Sequence, residues 1–143
     1  MIGIFIALIS GALMSIQGVF NTEVTKASSV WASASWVQFS ALGTCLVVWA
    51  VKERENLLHV FQVSPKYMLL GGVIGAFITF TVIKSMESLG PAKAAMLIVI
   101  SQLIVAYLIE MFGIFGMEKA DFSWRKVIGM GIAIAGVVLF KWE

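Results

Sequence analysis

Five apolar stretches take up most of this 143-residue chain and fix its solvent before any fold is considered. They run over residues 2–20, 30–51, 67–86, 94–112 and 127–140. An α-helix rises about 1.5 Å per residue, so about 20 apolar residues cross a hydrocarbon core of about 30 Å. The first four stretches meet that length. The fifth is shorter, and Trp124 before it and Trp142 after it are expected to sit at the two membrane–water interfaces and extend it. The expected architecture is an all-α integral membrane protein, a five-transmembrane-helix bundle forming a single domain over residues 1–143.

Little remains for anything else. The longest polar connection, Lys52 to Lys66, is too short for a catalytic, nucleotide-binding or receptor domain. The chain is 60% hydrophobic and 13% charged, with a mean hydropathy of +0.98, which removes ordinary soluble classes. A net charge of +2 spread along the chain gives nucleic acid nothing to bind. No HExxH, P-loop, GxGxxG on a βαβ unit or Ser/His/Asp set is present, so neither an enzyme nor a cofactor is expected. Cys45, the one cysteine, is expected to be a buried, inert thiol, and His59 a solvated loop residue. The first stretch has no basic n-region and exceeds a usual signal-peptide core, so it is expected to be a retained helix.

Punctuation marks the helix ends. Helix one is expected to stop near Asn21, with Thr22 to Ser29 as a loop. Pro91 after Gly90 suits the first turn of helix four, and Gly113 and Gly116 suit its end. Lys84 and Glu87 are spaced to meet on one helix face. With alternating loops, one side of the membrane holds Lys52, Arg54, Lys66, Lys119, Arg125 and Lys126, and the other Lys26, Lys84, Lys93 and Lys141. Six against four favours a cytoplasmic N-terminus only weakly, which fits either a chain inserting both ways or an ordinary bias that happens to be small.

Small and polar residues inside the spans carry the functional argument. Gly3, Ala7, Gly11, Ser15 and Gly18 form one stripe, Gly71, Gly75 and Thr79 another, and Gly129 and Ala133 a third. Such stripes let helix backbones approach closely, within one bundle or between subunits. Gln38 and Gln102 lie near the middle of helices two and four. Gln17 and Asn21 are four apart and share a face of helix one. Lipid cannot satisfy an amide, so these side chains must meet other helices or a watery cavity. They read either as substrate contacts, with Trp36 and Tyr107 as walls, or as interhelical hydrogen bonds. Glu110, in the last turn of helix four, is the one candidate proton carrier.

Several of these residues also carry a family resemblance. Gly11-Ala12-Leu13 with Gln17 and Asn21 opens it. Gly90-Pro91-Ala92, Ser101-Gln102-Leu103, Glu110, Phe112-Gly113-Ile114-Phe115-Gly116 and Ser123-Trp124-Arg125-Lys126 follow in order. In that order the chain resembles the drug/metabolite transporter superfamily, in its half-length YdcZ-like or EamA-like branch. The resemblance implies a bacterial inner-membrane protein that is one half of an inverted-repeat transporter. It would pair with a second copy or a paralogue in opposite orientation, with a substrate cavity between the halves lined by helices one to four. Two features depart from wider relatives: helix one lacks the central glutamate of small multidrug exporters, and helix four lacks an internal proline.

The reading is a half-size secondary transporter, an exporter by expectation, working by alternating access as an antiparallel dimer. Its substrate would be a small neutral, zwitterionic or weakly cationic metabolite. Gln38 and Gln102 would bind it, Trp36 and Tyr107 would wall it, and Gln17 and Asn21 would line the approach. A non-transporting scaffold subunit and a lipid-carrier flippase component remain as alternatives.

Overall fold

The computed structural model describes residues 2–141, so Trp142 and its interfacial role lie outside the described residues. Five long helices follow one another: α1 (Ile2–Ala27), α2 (Val30–Lys52), α3 (Gly71–Leu89), α4 (Pro91–Phe112) and α5 (Trp124–Lys141). Short 3-10 turns at Leu57–Gln62 and Lys66–Leu70 fill the loop before α3. No strand occurs among the described residues. Four helical runs are long and apolar enough to cross a membrane: α1, α2, Lys66–Leu89 and α4. The fifth helix has only 18 residues and carries Arg125, Lys126 and Lys141 among them.

Helix one does not stop near Asn21; it continues to Ala27. Residues that read as a polar exit instead extend the helix. The hydroxyls of Thr22 and Thr25 donate to the carbonyls of Gly18 and Asn21, one turn earlier, both at 2.8 Å. Lys26 pairs with Glu23 one turn back, at 2.5 Å. Only Ser28 and Ser29 then separate α1 from α2. Ser29 caps α2 by accepting a hydrogen bond from the Ala32 N–H.

The helices fall into two units, one ending at Ser88 and the other beginning at Leu89. In the first, burial is confined to one end of the helices. Asn21, Thr22 and Thr25 of α1, Ser33 and Ala34 of α2, and Ile83 and Met86 of α3 are buried. Ser33 Oγ donates to the Asn21 carbonyl at 2.9 Å, tying α2 to α1 with a hydrogen bond shielded from solvent. Gly18 meets α3, where a Cβ would stand 2.4 Å from Met86 Cε. Of the small-residue stripe on α1, Gly3 and Gly11 have open space instead. Trp31 stacks on Phe80 with ring centroids 4.7 Å apart and meets Phe77 edge-on. Elsewhere the large apolar side chains, Phe5, Leu8 and Phe39 among them, are exposed. Apolar surface on that scale belongs against lipid or another subunit.

The second unit is a helical hairpin. Pro91 occupies the first turn of α4, as its missing N–H allows, behind Gly90 at φ 79°. Gly113 ends the helix in the left-handed conformation (φ 62°) that an L side chain disfavours. The Glu110 carbonyl receives the N–H groups of both Gly113 and Ala120, folding the connection back on the helix end. Tyr107, buried in α4, accepts the Ser123 N–H at 3.2 Å through its hydroxyl oxygen. The Lys126 ammonium lies 5.6 Å from the Tyr107 ring centroid and bonds Glu110 at 2.9 Å. Together these contacts fasten the start of α5 to the last turns of α4.

Candidate functional site

Along α1, Ser10, Leu13, Met14, Gln17 and Asn21 recur at helical spacing and make one face. Along α2, Val37, Ser40, Ala41, Thr44 and Cys45 do the same. The two faces enclose a groove of about 840 Å³ that is open along one side. That volume lies in the range of small-molecule sites, about 300–1,000 Å³. The helices run antiparallel through a tight turn, with Asn21 opposite Ser33, so Gln17 and Asn21 mark one end of the groove and Ser10 and Cys45 the other. Every residue along it is uncharged.

Three of the expected site residues meet here: Gln17, Asn21 and Trp36. Gln17 is exposed, and its amide has no hydrogen-bond partner among the described residues. Asn21 differs. Its carbonyl accepts the hydroxyls of Thr25 and Ser33, and the residue is only 8% exposed, yet its side-chain amide likewise has no partner among the described residues. Trp36, largely exposed, leans on Phe39 at 6.0 Å with its indole N–H uncommitted among those residues. By contrast, Ser40 and Thr44 have spent their hydroxyl protons on carbonyls of their own helix.

The other expected site residues lie away from the groove lining. Gln38 turns toward α3, where its Nε2 sits 3.5 Å from Thr79 Oγ1 and beside Gly75. Gln102 is exposed on α4, with no partner among the described residues. Tyr107 is engaged in holding α5, and Glu110 pairs with Lys126. Cys45 is exposed in the groove rather than buried, because α2 is packed only near its start and this turn faces open space. Among the described residues no cluster of three His, Cys, Asp or Glu could hold a metal ion.

Residues 2–139 match the family model described as "Putative inner membrane exporter, YdcZ". The chain belongs to the YdcZ family. That match spans almost every residue and agrees with the YdcZ-like resemblance carried by the Gln102, Glu110 and Ser123-Trp124-Arg125 motifs. No curated protein and no solved structure matches the chain significantly. As a YdcZ-family protein with four membrane-capable helices, it is a multi-pass protein of the inner membrane.

Of the residues singled out in the sequence, Gln17 and Asn21 on α1 and Trp36 on α2 line this YdcZ-family groove. The Gln17–Asn21 pair stood out because amides are rare in lipid. Ser40 and Thr44 passed unremarked and Cys45 read only as an inert, buried thiol, although Val37, Ser40, Ala41, Thr44 and Cys45 recur at three- and four-residue spacings along one face. Thr79 and Lys126, the partners of Gln38 and Glu110, could be found only in three dimensions.

Proposed function

We propose that the chain is a half-size exporter of a small neutral, zwitterionic or weakly cationic metabolite. In this reading all five helices, α5 included, cross the membrane, and two copies in opposite orientation rock around a midplane site. The observation that carries it is the groove between α1 and α2: a cavity of ligand size, uncharged throughout, with an amide pair on membrane-spanning helices. Membership of a family described as an exporter supports the direction of transport. Gln17, Asn21 and Trp36 are the first substrate contacts. Gln38 and Gln102 are further hydrogen-bonding candidates, since a substrate oxygen can replace the long contact of Gln38 to Thr79 and Gln102 has none to lose. Tyr107 and Glu110 serve the α4–α5 hairpin by their contacts, and a proton-carrying role for Glu110 requires its ion pair with Lys126 to open.

Two measurements test this reading. Reporters fused to the C-terminus, one active only in the cytoplasm and one only outside, are both expected to give signal. Signal from one alone sinks the inverted homodimer. In liposomes, Gln38→Ala and Gln102→Ala are expected to abolish flux while leaving the dimer assembled. Loss of assembly instead identifies a scaffold.

A further inference from the structure

We infer that the groove between α1 and α2 is a subsite for an uncharged amphiphile. Its head is a carboxamide, urea or hydroxyl group held by Asn21 and Gln17, and its apolar body lies along Leu13 and Met14 toward Cys45. The inference deepens the transport reading by naming the substrate class, and rests on it only for what happens after binding.

The first observation is the state of Asn21. More than nine-tenths of the residue is shielded, it lines the groove, and neither Oδ1 nor Nδ2 is hydrogen-bonded to a described residue. No side-chain nitrogen or oxygen among the described residues is both buried and unpartnered, so the unbonded Asn21 amide atoms reach open space, and in lipid no solvent satisfies them. Its backbone carbonyl, by contrast, is doubly used, by Thr25 and Ser33, which holds this turn of the helix still. Gln17 stands one turn away on the same face, also uncommitted among the described residues. Each amide offers both donors and acceptors, so the pair matches a ligand group that offers both.

The second observation selects against charge. No lysine, arginine, aspartate or glutamate lines the groove. An ion placed there would lose water without gaining a counter-charge, which is strongly unfavourable. The third sets length. Cys45 lies twelve residues beyond Ser33, the neighbour of Asn21, or about 18 Å of helical rise. A long apolar chain anchored at the amides therefore runs past Leu13 and Met14 to cover the thiol.

Cys45 is the single cysteine of the chain, so it reports its own occupancy. The full chain in phosphatidylcholine vesicles is treated with N-ethylmaleimide in the presence of dodecanamide, dodecyltrimethylammonium, dodecyl sulfate or dodecane. Dodecanamide is expected to slow labelling saturably, and the two ions and the bare hydrocarbon are not, at equal membrane concentration. Gln17→Leu, at an exposed position, is expected to raise the half-protecting concentration roughly tenfold, the loss of one hydrogen bond from a water-poor site. Asn21→Leu should do at least as much where its helix content matches the parent. Equal protection by an ion or by dodecane, protection indifferent to Gln17→Leu, or no protection at all overturns the inference. Protection that obeys these expectations in a protein that moves no solute leaves the subsite standing and removes the transport reading. Flux that survives with no dodecanamide protection does the reverse.

Discussion

Gly18 and Gly113 are small for different reasons, and substitution separates them. At Gly18 a Cβ would collide with the flexible end of Met86, which can swing away. Gly18→Ala is therefore expected to lower the Tm only slightly. Gly18→Leu forces α1 from α3 and should cost about 1–3 kcal/mol, read from thermal unfolding in nanodiscs. At Gly113 the obstacle is backbone: φ is 62° and the Met117 carbonyl oxygen lies 3.2 Å from the position of a Cβ. Gly113→Ala should cost about 1–2 kcal/mol whatever its neighbours do. The glycine at 113 was legible as a helix stop because a terminator has a local signature. Gly18 was legible only as one of a stripe, because which small residue is used depends on where α3 crosses.

The α1–α2 and α4–α5 hairpins are each held by a few polar contacts rather than by a broad apolar interface. Ser33→Ala removes the hydroxyl bond to Asn21 with the loss of a single oxygen atom's volume. It is expected to cost about 0.6 kcal/mol, up to about 1.7, in unfolding within the membrane. In the other hairpin, Tyr107→Phe strands the Ser123 N–H, whereas Glu110→Gln loses an ion pair whose side chains are roughly half exposed. The tyrosine change should therefore speed proteolysis between α4 and α5 more than the glutamate change, with limited trypsin digestion as the readout. Helix positions followed from hydropathy alone. The end of α1 did not, since Asn21, Thr22 and Glu23 look like an exit until Thr22 and Thr25 are seen bonding back to carbonyls one turn earlier. The groove was half legible for a related reason: an isolated amide is conspicuous in an apolar span, but serines and a cysteine are ordinary there.

For the whole molecule, orientation is the quantity that charge controls. Replacing Lys84 and Lys93 with glutamine turns the loop split from six against four into six against two. One orientation should then dominate in the reporter assay. If function needs both orientations, flux should fall with it and return when a variant of opposite bias is coexpressed. A chain active in one orientation would keep its flux. The two-serine link between α1 and α2 bears on how the proposed dual insertion would arise at synthesis. Beside it stands the ion pair of Glu23 with Lys26, so the segment that leads the first hairpin through the bilayer is short and nearly neutral. Pairing lowers the work of threading these two charges across, equally from either face of the membrane. In a chain that inserts both ways, as proposed, such a hairpin would leave the choice of orientation to the charges of loops still to be made.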